Sequence, residues 1–351
     1  MSSLTELKWK TLTRVVNEIK SPNQFLKKRY FSRHKPVNTE DIEIDLKTKG
    51  RQIAPFVRKN GEAIMVEGSS ATRYSVSAPN IRIKRPFTPS ELLFGRQPGT
   101  DIYIDSGAQA NAVQSHIAED LQLMGDYVTN AEEWLCAQAI QGVIAYEVAD
   151  QEVFTITFPK PSGNNITLTT FWNDGTAGDV KVLEDIHTVK KVLADEVGLT
   201  PTDAICGESA ATQLRLLAKG GYITLDNRTL NMGNVDFTTQ YNDDGVIYIG
   251  RIAGVDFWEY SRTAELNGSD TAMIRTKYVE FLSTSANSDR VLYYGAIPDM
   301  KALQGKRFVG ERFSKSWEQE DPSAFMALLH SRPLPVPRRP GANVSMKVIS
   351  G

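Results

Sequence analysis

The chain has 351 residues, 41% hydrophobic and 23% charged, with a formal net charge of −2, which suits a globular protein of roughly two domains. No run of about 18 apolar residues occurs, so no transmembrane helix is expected, and charges interrupt Leu4–Lys20, so there is no signal-peptide core. The two cysteines, Cys136 and Cys206, form neither a disulfide framework nor a metal pattern and fit a reducing cytoplasm.

The charge is unevenly spread. Residues 1–37 hold nine basic groups against Glu6 and Glu18, a net +7, which leaves −9 for the remainder. A basic arm on an acidic body points to contact with nucleic acid or with neighbouring copies. Leu4, Leu7, Leu12, Val15, Val16 and Ile19 have helical spacing. That helix is too short to be secure alone and is expected to fold against a partner surface. Residues 21–38 carry Pro22 and Pro36 and read as an extended arm anchored by Phe25, Leu26, Tyr30 and Phe31.

Asp41–Leu46 alternates as a half-buried strand. Lys49–Phe87 reads as a long β-hairpin. Ile64–Val66 and Tyr74–Val76 flank Gly68–Ala71, and Ile81–Lys84 follows with alternating apolar and basic residues. A two-stranded hairpin is marginal in water, so an intermolecular contact is expected. Next comes a long amphipathic stretch, Gly107–Ala145, with apolar residues at Val113, Ile117, Leu121, Met124, Val128, Ala131, Leu135, Ala139 and Val143. Asp105 or Ser106 is its expected N-cap, its length would be about 58 Å, and Gly125 near its middle is a point where it could bend. Glu119, Asp120, Asn130, Glu132 and Glu133 fall off the apolar stripe.

Strands are expected at Glu152–Phe158 and Asn165–Thr170, a helix at Asp179–Val197 stopped by Gly198, a buried strand at Asp203–Cys206 and a helix at Ser209–Lys219. Four more strands follow at Val246–Arg251, Val255–Tyr260, Tyr278–Thr284 and Arg290–Tyr294, an α/β or α+β body of about 170–300. Ser323–Ser331 and Ala342–Ile349 read as strands joined by a Pro-rich loop, Pro333–Pro340.

The sequence is poor in catalytic signals. It has no phosphate-binding P-loop, no H-E-x-x-H and no C-x-x-C, and His34, His116, His187 and His330 are scattered. Gly207-Glu208-Ser209-Ala210-Ala211 follows a buried strand and opens a helix, the setting of a nucleophile elbow, with Asp236, Asp243 or Asp256 and His330 as formal partners. Ser209 as a helix cap is the better reading. Asn165-Ile166-Thr167 and Asn343-Val344-Ser345 match glycosylation sequons without a secretory signal to use them.

This order of elements resembles the major capsid proteins of tailed bacteriophages, in particular the lambda capsid E-type family with its Hong Kong 97-like (Johnson) α+β fold. The local similarity is carried by Arg312-Phe313-Ser314-Lys315-Ser316-Trp317, by Asp321-Pro322-Ser323-Ala324-Phe325 with Pro333-Leu334-Pro335, and by the Gly/Ser-rich Glu67–Thr72. The resemblance implies an N-terminal arm (1–37) lying across a neighbour through Phe25, Lys28, Arg29, Tyr30 and Phe31. It implies a peripheral domain (38–49 and 91–169) with a spine helix at 107–145. An extended loop (50–90) would contact the next subunit through Gly68, Ser69, Ser70, Thr72, Tyr74, Val76 and Ile81. An axial domain (170–300) and a C-terminal return to the peripheral domain (301–351) would complete it, with Arg332, Arg338 and Arg339 near threefold contacts.

No catalytic residue, metal or cofactor is implied. The implied partners are copies of the chain in hexamers and pentamers, a scaffolding protein, a portal, packaged double-stranded DNA and, in some relatives, a decoration protein; no membrane is involved. The implied location is the virion capsid, assembled in the host cytoplasm through a procapsid that expands. Covalent cross-links, for which Lys59 and Asn60 are formal participants, are not expected. The competing readings are an encapsulin-like compartment shell, a serine hydrolase using Ser209, and a nucleic-acid-binding protein using residues 8–35.

Overall fold

The computed structural model describes residues 24–47, 71–88, 106–147, 153–174, 181–219, 241–242, 246–266, 269–285, 288–299 and 310–351. The amphipathic segment 4–20, Ile64–Val66 and the tip Gly68–Ser70 lie outside them, as do the side chains of residues 106–119 and of Thr72. The expected extended arm at 21–38 is instead a helix, α1 (Phe25–Tyr30), followed by a strand, β1 (His34–Pro36). Phe25, Leu26, Tyr30 and Phe31 do anchor it, but in the core of their own subunit.

Strand β2 (Asp41–Lys47) pairs antiparallel with β3 (Ala71–Ser77), Ile44 opposite Tyr74. This pair, the loop base, flanks the expected extended loop, whose residues 48–70 lie outside the described ones. Ile42 and Ile44 point into the core, so the base does have a second layer within its own chain. Strand β4 (Ile81–Phe87) is no part of the hairpin. It pairs antiparallel with Ala324–Ser331, Ile81 opposite Ser331.

The spine helix, α2, runs from Ser106 to Gln141, 36 residues and about 54 Å. It ends before the expected Ala145 because Gly142 turns to φ +97°, its N–H donating to Gln138 and Ala139 carbonyls. Val143 then opens β5 (Val143–Glu147), which pairs with β6 (Val153–Thr157) in a two-stranded ribbon.

A seven-stranded mixed sheet forms the second body. After β7 (Asn165–Thr167) and α3 (Val182–Glu196) come β8 (Asp203–Cys206) and α4 (Glu208–Lys219). Next are β9 (Tyr241–Asn242), β10 (Val246–Ile252) and β11 (Val255–Tyr260), then the exposed ribbon β12 (Thr263–Leu266) with β13 (Ser269–Ala272). Strands β14 (Tyr278–Leu282), β15 (Arg290–Tyr294), β16 (Phe313–Gln319), β17 (Ala324–Ser331), β18 (Pro333–Pro337) and β19 (Asn343–Lys347) close the chain. The sheet order is β7-β19-β14-β8-β11-β10-β9. It therefore takes in residues 165–167 and 343–347, which the sequence assigns to the peripheral domain. The Pro-rich stretch is likewise no loop: Pro333–Pro337 is a buried strand paired with Arg290–Tyr294.

Alternation along the strands gives each face its partner. Ala204, Cys206, Phe257, Val279, Phe281, Val344 and Met346 meet Val182, Ile186, Val189 and Leu193 of α3 and Ala210, Ala211 and Leu214 of α4. Ile205, Tyr260 and Leu282 share a core with Leu135, Cys136, Ala139 and Ile140 of the spine. Farther toward the spine N-terminus, Leu121, Met124 and Val128 pack on Phe87, Phe325, Ala327 and Leu329 of the β16-β17-β4 sheet. Both cysteines are buried and free.

Gly207 is fixed by a close approach of two backbones. A Cβ there would lie 2.2 Å from the Arg275 carbonyl oxygen and 2.6 Å from Thr276 Cα. Gly207→Ala should therefore destabilise the subunit by roughly 3 kcal/mol, read as a lowered urea midpoint at unchanged slope; an unchanged midpoint would show that the Arg275–Thr276 turn moves aside at little cost.

Candidate functional site

Among the described residues, a concentrated set of buried charges lies on the spine helix. Glu132 and Glu133 are essentially inaccessible, although the sequence places them off the apolar stripe. Glu133 accepts the backbone N–H groups of Leu26 (2.8 Å) and Lys27 (3.1 Å) and the Tyr260 hydroxyl (3.1 Å). It thereby does the capping work at the start of α1 that Gln24 does not do. Burial holds the Glu133 carboxyl above the usual carboxylate range, opposed by these hydrogen bonds.

Glu132 receives the Lys27 ammonium (2.8 Å), the Arg312 guanidinium (3.2 Å) and the Tyr294 hydroxyl (3.4 Å). Arg312 also donates to Thr129 Oγ1 (2.8 Å) and reaches the Gly125 carbonyl at 3.5 Å. Thr129 donates back to that same carbonyl at 2.8 Å. Gly125 thus sits under a clasp from the C-terminal segment, and a Cβ there would meet only Arg312 Nη1 at 3.8 Å. On the far side of α1, Asp203 accepts Arg29 Nε (2.5 Å) and the Tyr30 hydroxyl (2.8 Å), and Arg29 lies over the Trp258 ring.

The residues expected to reach a neighbour fall into three groups. Phe25, Tyr30 and Phe31 are interior, Arg29 is tied to Asp203, and Lys28 and Arg29 are the exposed positions of this helix. At the loop base Tyr74 is exposed, Val76 is half-buried against the core, and Ile81 belongs to the β4 sheet. Arg332 is buried, bonding to the Ala296 carbonyl at 2.9 Å, while Arg338 pairs with Asp289 at 3.4 Å and Arg339 reaches the Val197 carbonyl at 3.5 Å. All three guanidiniums therefore have partners in their own subunit.

Among the described residues no catalytic constellation forms around Ser209. His330 lies in the β16-β17-β4 sheet, hydrogen-bonded to Asn80, with its pKa lowered to about 4 by burial and by Arg82 and Arg332. Asp256 is engaged by Tyr248 and Arg251, and Asp236 and Asp243 lie outside the described residues. Among the described residues no group of His, Cys, Asp and Glu could hold a metal ion, and no helix is long and apolar enough to cross a membrane.

The sequence missed Glu132, Glu133, Lys27 and Arg312 as a node. The available signal is the run Trp134–Ile140, apolar on every side except Gln138; a helix buried all round must also bury the acids that open that run.

A polar band occupies the sheet face that meets the end of the spine. Lys160 donates to the Ile140 carbonyl (2.9 Å) and to Ser345 Oγ (3.1 Å), and Ser345 donates to Glu280 at 2.5 Å. Burial lowers the Lys160 pKa from 10.5 to about 8, with Glu280 opposing and Arg275 and Arg290 assisting.

The described residues thus present a long helix braced by buried ion pairs, a seven-stranded mixed sheet and three two-stranded ribbons. The comparisons with known proteins identify the chain: it matches the model of the phage major capsid protein E family over residues 8–348, and it belongs to that family. It is a capsid protein and not an enzyme. Its fold is similar to that of a protein described as a prophage capsid protein of E. coli CFT073, at 17% identity and a TM-score of 0.73 over 98% of this chain and 99% of that one. It is also similar to the capsid of the cyanophage P-SCSP1u, at 8% identity and a TM-score of 0.50 over 95% and 90%. No curated protein matches it in sequence.

Two outcomes follow for these buried charges. Glu132→Gln leaves Lys27 and Arg312 facing an amide and should cost about 3–5 kcal/mol in denaturant unfolding, part of which Lys27→Met restores in the double variant. For Lys160, folded and unfolded chains are both protonated below pH 8, and between pH 8 and 10.5 only the unfolded chain holds the proton. Wild-type stability should therefore rise with pH through that window, by up to about 3 kcal/mol relative to Lys160→Met, and a flat difference between the two proteins would contradict it.

Proposed function

We propose that this chain is the major head subunit of a tailed double-stranded DNA bacteriophage, closing into an icosahedral shell through a Hong Kong 97-like arrangement. The observation that carries this reading, beyond family membership, is the loop base. Lys47 and Ala71 are paired neighbours, so the 23 residues between them leave and rejoin the body at one point. Such an excursion reaches at most about 38 Å from the subunit. It supplies the heterologous contact that a closed shell of identical chains requires. Hexamers and pentamers of this chain, a scaffolding protein, a portal and an expanding procapsid belong to the same proposal. DNA would be held by non-specific electrostatics.

The domain division belongs to it too, with the seven-stranded sheet as the axial body and the spine with its attached sheets as the peripheral one. The arm that can reach a neighbour is shortened to residues preceding Gln24, because α1 is engaged in its own subunit. Lys59 and Asn60 form no covalent cross-links in this proposal, and boiled particles should run as monomers on a denaturing gel.

The test is electron microscopy of the purified protein with its sedimentation profile, expected to show closed shells tens of nanometres across. Deleting Gly68–Ser70, or Tyr74→Asp at the exposed loop base, should abolish closed shells while far-ultraviolet circular dichroism and unfolding of the subunit stay near wild type. Normal particles from both variants would remove the loop from assembly. Particles holding a protein cargo and no nucleic acid would favour the encapsulin-like alternative.

A further inference from the structure

Arg332 is a buried cation held mainly by backbone carbonyls. It stands at the junction of β17 and β18 and is 5% exposed, while the carboxylate it pairs with, Glu40 Oε2, lies 3.9 Å away on a side chain that is 63% exposed. Burying a guanidinium is costly unless several acceptors meet it. Here they come from two different parts of the subunit. Nη1 donates to the Ala296 carbonyl at 2.9 Å, just past the end of β15. Nη2 reaches the Glu40 carbonyl at 3.5 Å, the Ser77 hydroxyl at 3.4 Å and the Ala78 carbonyl at 3.4 Å. Glu40 immediately precedes β2, Ser77 ends β3 and Ala78 is next, so one nitrogen touches both legs of the loop base where they join the body.

The cation itself is mounted on the body. Its flanking strands are buried and paired in two different sheets, β16-β17-β4 and β1-β15-β18, and its carbonyl accepts the Gly295 N–H at 2.9 Å. The packing there is close: a Cβ on Gly295 would lie 3.2 Å from Ala78 Cβ and 3.7 Å from Arg332 Cβ. The loop base, by contrast, pairs with no further strand among the described residues, and Ile42 and Ile44 hold it through apolar contacts that have no preferred direction. We propose that Arg332 is the pin that centres the loop base, a positioning residue that limits how far β2–β3 swings against the body. Three acceptors at 3.4–3.5 Å share one nitrogen, so a swing toward either leg shortens one bond at the expense of another. The planar fork suits this task, because a lysine ammonium could not hold Ala296 and both legs from one position. The use of the pin in assembly rests on the proposed reading of the loop as a contact between subunits: a base with a fixed heading presents the loop to a neighbour at a smaller cost in entropy.

The experiment is pulsed electron paramagnetic resonance on the full-length dispersed subunit, with nitroxides at Glu43→Cys on the exposed face of β2 and Lys191→Cys on the exposed face of α3; the native Cys136 and Cys206 are buried. With Arg332 in place the pair should give one narrow distance. Arg332→Met should roughly double its width, and Arg332→Lys should fall between the two. Gly207→Ala, which strains the sheet body instead, should leave the width unchanged. An unchanged width in Arg332→Met, or an equal broadening in Gly207→Ala, would overturn the proposal. Should Arg332→Met not fold, Arg332→Lys decides alone, and the original width there would overturn it. Electron microscopy of the same variants reads assembly separately: a broadened distance with normal closed shells would leave the pin standing and count against the loop as a shell contact.

Discussion

The subunit depends on two adjacent carboxylates that no water reaches. Glu132 and Glu133 sit on the spine helix at the level where the N-terminal helix, the β11 strand, the β15 strand and the segment entering β16 all converge. A lone ion of either kind would be prohibitive there, and the site is viable because Lys27, Arg312, two backbone N–H groups and two tyrosine hydroxyls satisfy it together. Apolar packing alone could slide by a turn along a smooth helix. The charged node has one register, so it fixes where α1 starts and where the C-terminal segment crosses the spine. Removal of any single partner leaves the others buried and uncompensated, which makes the node a specificity device as much as a source of stability.

The parts of the fold that were legible in the sequence are those governed by local periodicity. Helix α3 shows its stripe at Val182, Ile186, Val189 and Leu193, with Gly198 just beyond its end, and Asp203–Cys206 appears as a buried strand with the same boundaries. Errors arose where tertiary partners override local pattern. Pro333–Pro337 has the composition of a loop, yet it lies as a strand beside Arg290–Tyr294 in a three-stranded sheet that also contains β1. Ile81–Phe87 alternates as a hairpin arm would, and only the long-range partner Ala324–Ser331 assigns it to another sheet. The acids of the node were misplaced for a related reason: a stripe drawn by hydrophobicity excludes a buried carboxylate by construction.

The same long-range logic explains why the two bodies do not separate along the sequence. Strand β19 lies between β14 and β7, so the last strand of the chain is interior to the sheet built mostly by residues 203–282. Its alternate residues serve both sides: Val344 and Met346 enter the core under α3 and α4, while Asn343 and Ser345 face the polar band at the spine terminus. Asn343 and Lys160 both donate to the Ile140 carbonyl, one of the four that a helix end leaves unpaired. The junction of spine and sheet is therefore made by the end of the chain closing on the end of the helix. A C-terminal truncation would open both bodies rather than trim one.

What the interior satisfies so fully, the periphery leaves open. Among the described residues, three two-stranded ribbons, β2–β3, β5–β6 and β12–β13, pair with no further strand, and such ribbons are marginal by themselves. In a monomeric protein this would be a liability, invited by exposed Val153, Phe154 and Tyr74. In a capsid shell protein such edges are surfaces that contacts between copies can cover. Ile42, Ile44 and Ile144 tie two of the ribbons to the core on one face, while Tyr74, Val153 and Phe154 stay exposed on the other. A charged node with one register inside and uncovered ribbon edges outside thus divide two demands on a shell subunit, a single fold within and surfaces for association without.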